Sequence, residues 1–175
     1  MSWRWWLPLL GFALLAGLFA MQLQREEDPF VRSAMVGQPM PDILLPPGSA
    51  DRPGLQTSDL RDGQPRLLNI FASWCIPCRA EAEQLAVLER QGANIVGVAI
   101  RDRPEDIEAF LAAHGNPFSR IGSDERGRVQ LELGSSGVPE TFVIDGTGTI
   151  RYQHIGEIRA DDVAELLREL EKAGG

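Results

Sequence analysis

The sequence predicts an α/β fold in which a central mixed β-sheet is flanked by helices. Three observations lead to this prediction. Segments with strand and helix periodicity follow one another in the order strand, helix, strand, helix, strand, strand, helix. Two cysteines separated by two residues stand where the first of these strands gives way to a helix. A turn-rich segment joins the last two strands, so one crossover connection and a terminal hairpin are expected in the same sheet.

The first part of the predicted domain contains two short segments and one long buried strand. Asp42–Leu45 is a short strand candidate, and Leu55–Leu60 is a second short segment. A turn at Asp62–Pro65 leads into Arg66–Phe71, a β-prone run that predicts a buried strand. The helical pattern that follows this strand ends before Gly92.

The second part begins with another buried strand, Asn94–Ile100. Proline and acidic residues after Arg103 predict a helix that ends near Gly115. The remaining predicted elements are a short strand ending at Ile121–Gly122, a short helix at Glu125–Leu133, two hairpin strands at Thr141–Ile144 and Thr149–Ile155, and an amphipathic helix at Ala160–Lys172.

The only two cysteines in the chain, Cys75 and Cys78, indicate a redox dithiol at a helix start. The free N–H groups and the positive dipole end there stabilise a thiolate at Cys75. Cys78 lies one helical turn further on and can attack a mixed disulfide to release the product. Two other interpretations stay open. A structural disulfide across so short a loop would constrain the unfolded chain little, and a zinc site would need two more ligands, for which only His114 and His154 remain.

The N-terminal segment predicts a membrane anchor. The run from Trp5 to Met21 has no charged residue, and Arg4 precedes it. Acidic residues follow at 26–28, so the positive-inside rule places the N-terminus in the cytoplasm. A cleaved signal peptide is the alternative, although residues 18–20 form a poor cleavage site because Leu18 is not small. Either interpretation exports the rest of the chain.

The predicted organisation has three parts. They are a membrane anchor at residues 1–21, a polar linker at 22–38 and the α/β domain at 39–175. The net charge of −8 makes nucleic acid an improbable partner. Export also places the cysteines in an oxidising compartment.

Three motifs make the chain resemble the thioredoxin superfamily, and more narrowly the membrane-anchored thiol–disulfide interchange proteins of cytochrome c maturation (the CcmG/DsbE type). They are residues 72–81 (ASWCIPCRAE), residues 137–142 (GVPETF), and the hairpin residues 143–146 (VIDG) that lead to Arg151 and Tyr152. The resemblance covers residues 36–171. Ser135 and Ser136 depart from the family, which more often has valine and tyrosine there.

The resemblance implies roles for further residues. It implies a cis peptide at Val138–Pro139, beside the dithiol, that leaves the Val138 backbone free for an extended substrate; a proline leading a strand at an ordinary turn is the alternative. Thioredoxins usually carry a buried aspartate six residues before the first cysteine, where this chain has Asn69. The role of proton acceptor would then pass to Glu81, which follows Cys78 on the same helical face, alone or together with Glu140.

Trp74 precedes the first cysteine and is expected to pack over the site and to contact partners. The alternative for Trp74 is simple shielding of the helix start. For Glu81 and Glu140 the alternative is that both are solvated surface charges.

The resemblance implies a periplasmic reductant, held in the bacterial inner membrane by a single span. Its expected target is the Cys-x-x-Cys-His segment of apocytochrome c or a maturation partner, and its expected electron donor is a membrane thiol–disulfide protein. No metal or organic cofactor is required. Three alternatives remain: a general periplasmic thiol oxidase or isomerase, a copper(I) chaperone that uses both thiolates, and an assembly protein whose dithiol is incidental.

Overall fold

The computed structural model describes residues 11–12, 14–15, 17 and 35–175. The chain divides into two units, residues 1–32 and 33–175. The described residues of the first unit are helical. The rest of the predicted anchor, and residues 22–34 of the predicted linker, lie outside the described residues. Among the residues that are described, no helix is both long enough and apolar enough to cross a membrane.

The second unit is built on a five-stranded mixed sheet. A small antiparallel pair precedes it, formed by β1 (Leu44–Leu45) and β2 (Leu55–Gln56), and a 3₁₀ turn follows at Thr57–Leu60. The strands of the main sheet are β3 (Arg66–Phe71), β4 (Ile95–Ile100), β5 (Arg120–Asp124), β6 (Glu140–Ile144) and β7 (Ile150–Ile155). Their order across the sheet is β5-β4-β3-β6-β7, so β3 lies at the centre.

Four helices accompany the sheet: α1 (Ile76–Arg90), α2 (Pro104–His114), α3 (Arg128–Glu132) and α4 (Asp162–Gly174). Helix α1 contacts both α2 and α4, and α4 also packs on β6 and β7. These elements confirm the predicted α/β class and show the thioredoxin-like arrangement that the motifs implied.

Two details differ from the sequence prediction. The segment predicted to end at Ile121–Gly122 is a full edge strand, and β4 pairs in parallel with β3 on one side and with β5 on the other. The sheet therefore has two crossover connections where one was expected. The predicted helix at Glu125–Leu133 begins only at Arg128, because the Asp124 carboxylate accepts hydrogen bonds from the N–H groups of Arg128 and Val129 and so caps the helix there.

The core surrounds the two central parallel strands. Every residue of β3 and β4 is buried. On one face, Phe71 stacks on Phe118 with ring centroids 4.9 Å apart. Gly97 lies beside these rings, and a Cβ atom there would stand 2.9 Å from Phe71, so only glycine leaves room for the stack. This packing fixes the end of β3, from which the cysteine motif follows.

Candidate active site

Cys75 and Cys78 form a disulfide at the first turn of α1. Cys75 is the N-cap residue, and its Sγ accepts a hydrogen bond from the Cys78 N–H over 3.1 Å. Pro77 lies within the first turn, where a missing N–H costs no helical hydrogen bond. The Cys75 sulfur therefore sits where the positive end of the helix dipole is strongest, as the sequence predicted.

The residues next to Cys75 in the chain are apolar and open to solvent. Both cysteines are almost covered, with 4% of Cys75 and 1% of Cys78 exposed. Their neighbours Trp74 and Ile76 are 53% and 75% exposed. Trp74 does not close over the site as a buried shield, because half of its surface faces solvent and its indole N–H donates to the Arg101 carbonyl over 3.3 Å. A partner that approaches Cys75 therefore meets exposed apolar side chains on either side of it in the chain.

Glu81 is fully buried, which rules out a solvated surface charge. Its Oε1 accepts from the side-chain amide of Asn69 over 2.9 Å, and its Oε2 accepts from the Ile158 N–H over 3.0 Å. Burial raises the pKa of Glu81 to about 7, although these two hydrogen bonds oppose the change, and the charge of Glu157 adds to the increase. A carboxyl with this pKa can take up or release a proton near neutral pH.

Cys78, Glu81 and Asn69 line the same small cavity beneath the disulfide. The space left for the centre of a water molecule is about 10 Å³, which is room for one water at most. Glu81 and Cys78 thus face the same cavity, and the role of Glu81 as proton acceptor for the dithiol stays a prediction. Asn69 occupies the position expected for an aspartate and is fully buried.

The Val138–Pro139 peptide is cis, as the resemblance implied. Pro139 is buried, and its carbonyl accepts from the Gly156 N–H over 3.0 Å. Among the described residues, nothing forms a hydrogen bond with the N–H or the C=O of Val138. The backbone of Val138 is therefore available to an extended peptide, which could pair with it as an added strand.

Glu140 is also buried, but it lies on the other side of the sheet from Glu81. Consecutive side chains of a strand point to opposite faces, and the neighbour of Glu140, Thr141, bonds to Asn69. The Glu140 carboxylate accepts from the N–H and the hydroxyl of Ser136 and from the side-chain amide of Gln153. Its role is thus tied to the loop before Pro139, and the expectation of a solvated charge is wrong for this residue too.

Sequence reasoning missed a second set of contacts at the dithiol corner. The Asp102 carboxylate accepts from the N–H and the hydroxyl of Ser73, and the Arg79 guanidinium donates to the Ser73 carbonyl. Asp102 follows the carboxyl end of β4, next to the strand that carries the cysteines, which is where α/β sheets place functional side chains. This position directly after β4 was the sequence signal by which Asp102 could have been found.

Neither His114 nor His154 joins the site, and the described part of the chain has no cluster of three or more histidine, cysteine or acidic residues arranged to hold a metal ion.

Fold and site together place this protein among the thiol–disulfide oxidoreductases with a thioredoxin-like fold. Comparison with known proteins gives the same result. The Redoxin family model matches residues 35–170. The thiol:disulfide interchange protein HelX of Rhodobacter capsulatus is 40% identical over 167 residues, which cover 94% of this chain and 93% of the relative. The thiol:disulfide interchange protein DsbE of Yersinia pestis is 43% identical over 159 residues, covering 87% of this chain and 83% of the relative.

A solved structure agrees with these relatives. The crystal structure of a proposed thiol:disulfide interchange protein DsbE from Chlorobium tepidum superimposes with a TM-score of 0.69 at 28% identity, covering 80% of this chain and 98% of the other. The chain therefore belongs to the Redoxin family and, within the thioredoxin superfamily, to the CcmG/DsbE type. It is a protein-disulfide oxidoreductase.

Proposed function

We propose that this protein is a periplasmic reductant that keeps the haem-binding cysteines of apocytochrome c, or those of a maturation partner, in the thiol form. The observation that carries the proposal is the burial of Glu81 in the cavity beneath Cys78. A buried acid beside the second cysteine can accept its proton when that cysteine must attack. The similarity to the DsbE and HelX thiol:disulfide interchange proteins supports thiol–disulfide exchange as the chemistry.

The reaction begins with the reduced dithiol. The Cys75 thiolate attacks one sulfur of a substrate disulfide, the substrate S–S bond breaks, and the departing sulfur takes a proton. The Cys78 thiol then gives its proton to the Glu81 carboxylate, and the resulting thiolate attacks the Cys75 sulfur. The Cys75–Cys78 disulfide forms and the second substrate thiolate leaves, taking up a proton. Two electrons have passed to the substrate, and the two protein sulfurs carry them without a cofactor.

The surface around the disulfide fits a polypeptide substrate. Trp74, Ile76 and Ile155 are large apolar side chains that are each at least half exposed. Ile155 pairs with Glu140 at the end of β7, directly after the cis proline in the neighbouring strand. Apolar side chains beside free backbone groups at Val138 supply both parts of peptide recognition, which are contact area and strand pairing.

The remaining parts of the proposal concern location and electron supply. The uncharged segment at residues 5–21 is proposed to be a single span that holds the domain at the periplasmic face of the bacterial inner membrane. Oxidised protein needs a donor dithiol, and a membrane thiol–disulfide protein that relays electrons across the bilayer would supply it in an oxidising compartment.

The test is a thiol-exchange assay with the reduced protein. A peptide containing an oxidised Cys-x-x-Cys-His segment is mixed with the reduced full-length chain, and peptide thiols are counted over time. We expect stoichiometric peptide reduction, and none with Cys75→Ser. In cells that lack the protein, holocytochrome c should fall and recover when a small thiol reductant is added. Failure of the thiol to rescue would contradict the reductant role.

The alternatives give different outcomes in the same experiments. A general thiol oxidase would leave the peptide oxidised and would instead oxidise reduced peptide. A copper(I) chaperone would bind Cu(I) tightly in its reduced form, which titration with a competing chelator measures. An assembly protein would retain its function in cells as the Cys75→Ser variant.

A further inference from the structure

Asn69 lines the same cavity as Cys78 and Glu81, the two groups that exchange a proton in the proposed function. Its side-chain nitrogen Nδ2 donates to Glu81 Oε1 over 2.9 Å and to Thr141 Oγ1 over 3.0 Å. Both amide hydrogens are therefore used. All three side chains are completely buried, so water at the surface cannot take the place of these contacts.

The other end of the same amide has no partner in the disulfide form. Asn69 Oδ1 is buried and accepts no hydrogen bond. A buried polar atom without a partner is unusual, because leaving it unpaired costs about 1–3 kcal/mol. The unpaired Oδ1 atom of Asn69 is therefore a candidate acceptor for a hydrogen-bond donor that forms in another state of the protein.

The residues that line the cavity limit the choice of donor. Ten residues line the cavity, and Asn69, Cys78 and Glu81 are the only three with polar or sulfur-containing side chains. The other seven have apolar side chains or are glycine. Glu81 already accepts from Asn69, and in the disulfide Cys78 has no hydrogen to donate. Reduction adds two electrons and two protons to the disulfide, and this creates a Cys78 S–H group in the same cavity.

We propose that Asn69 is a redox-coupled positioning residue whose Oδ1 accepts a hydrogen bond from the reduced Cys78 thiol, directly or through one water, while its Nδ2 holds the Glu81 carboxylate. One rigid amide then holds the proton donor and the proton acceptor of the second chemical step in fixed positions. This inference rests on the proposed function for the proton transfer itself. The groups that act on Glu81 from the packed elements are Asn69 of β3, the Ile158 N–H and the charge of Glu157.

The first test is the redox equilibrium of the full-length chain with glutathione, which needs no cytochrome substrate and so is independent of the proposed target. The Asn69→Leu variant removes Oδ1 with little change of volume. The equilibrium constant with glutathione should shift about fivefold towards the disulfide, because only the reduced form loses a hydrogen bond. The measurement is made at pH 5, where Glu81 carries its proton and its interaction with Nδ2 is no longer charge-assisted.

Matched variants separate this role from packing. Thr141→Val removes the other partner of Nδ2 and leaves Oδ1 in place, so its redox equilibrium should equal that of the unmodified chain. Asn69→Asp retains an oxygen acceptor, so at pH 5 its equilibrium constant should lie closer to that of the unmodified chain than to that of Asn69→Leu. An unchanged equilibrium in Asn69→Leu, or an equal shift in Thr141→Val, would overturn the proposal.

A spectroscopic measurement does not depend on how the Asn69 variants fold. Cys75→Ser leaves Cys78 as the single thiol, whose S–H stretching band is visible by infrared difference spectroscopy. We expect this band at the lower frequency of a hydrogen-bonded thiol. A band at the position of a free thiol in an apolar solvent would show that Oδ1 does not accept from Cys78.

Discussion

Asp102 binds Ser73 twice, with 2.6 Å from the Ser73 N–H and 2.7 Å from its hydroxyl to the two oxygens of one buried carboxylate. The contact joins the loop after β4 to the corner between β3 and α1. The adjacent residues form a second link, because the Trp74 indole N–H donates to the Arg101 carbonyl. Arg101 has a positive φ of 49°, a conformation that non-glycine residues seldom adopt. The loop thus holds the residues that present the disulfide.

We expect Asp102→Ala to destabilise the fold by about 1–3 kcal/mol, because it leaves the two Ser73 donors without their partner. Urea unfolding of the disulfide form measures the change. Glu132→Ala is the matched control, since Glu132 pairs with the exposed Arg128 over 2.7 Å, and it should cost far less than Asp102→Ala because solvent screens an exposed pair. Equal losses in the two variants would remove any special role for Asp102.

The pKa of Glu81 predicts a stability that falls as the pH rises. The folded value is about 7 and the ordinary value is 4.5, so the folded state holds its proton more tightly than the unfolded state. The cost of ionising the buried group is absent below pH 4.5 and complete above pH 7. At about 1.4 kcal/mol for each pKa unit, it reaches about 3 kcal/mol.

Glu81→Gln provides the comparison, because it has no proton to lose. The free energy of unfolding of this variant minus that of the unmodified chain should increase by about 3 kcal/mol between pH 4 and pH 8. Taking the difference cancels the other titrating groups and the fixed cost of the amide. A difference that does not change with pH would show that Glu81 has an ordinary pKa.

Asp145 predicts the opposite behaviour in acid. Burial by itself would raise its pKa, but hydrogen bonds from Thr147, Thr149 and Arg151 outweigh burial and lower the pKa to about 2. The resulting stabilisation is present above pH 3.8 and is lost as the pH falls towards 2. Asp145→Asn should therefore cost about 2 kcal/mol at pH 6 and much less near pH 2. Chemical unfolding at pH 6 and near pH 2 measures the loss of stability in the variant. An equal loss at both pH values would contradict the prediction.

Much of the fold could be predicted because its signals are local. The central strands β3 and β4 are continuous apolar runs, and proline and acidic residues open α2. The edge strand β5 was harder, because Arg120–Asp124 contains polar residues and glycine, and it becomes a strand through its pairing with β4. A tertiary hydrogen-bonding pattern of this kind leaves little trace in periodicity.

The site divides in the same way. The cysteines at the helix start follow from spacing and helix electrostatics, so Cys75 and Cys78 were predictable. The burial of Glu81 was not, because it depends on Asn69 and Ile158, which are 12 and 77 residues away in the chain. Such distant contacts decide whether a glutamate is a surface charge or a proton acceptor, and a single sequence does not contain them.

The two cysteines should behave differently in trapping experiments. Cys75 is the helix N-cap and the more exposed of the two, so its sulfur is the attacking thiolate. Cys78→Ser should accumulate mixed disulfides with partner proteins, and Cys75→Ser should accumulate few. Non-reducing gels of each variant from cells measure this, with the doubly substituted chain as the blank. Equal trapping by both single variants would contradict the assignment.

The final prediction is the direction of electron flow. A dithiol becomes a strong oxidant when its thiolate form is stabilised, as in DsbA at about −120 mV. Here the residues between the cysteines are Ile76 and Pro77, which carry no charge, and the buried Glu81 lies in the cavity beneath Cys78. A nearby carboxylate opposes thiolate formation. The exposed Arg79 is engaged with the Ser73 carbonyl, which leaves the helix end as the main source of stabilisation.

The Glu81 carboxylate thus opposes the stabilisation of the thiolate by the helix end, and this favours a reducing protein. We expect a reduction potential nearer the thioredoxin value of about −270 mV than the value of DsbA. Equilibration of the chain with glutathione buffers at pH 7 measures the potential, and about 30 mV corresponds to a tenfold change in the equilibrium constant. Glu81→Gln serves as the internal comparison: removing the acid should make the thiolate easier to form and move the potential towards that of DsbA. A value near −120 mV for the unmodified chain would favour an oxidase, since such a protein would withdraw electrons from the thiols it is proposed to protect.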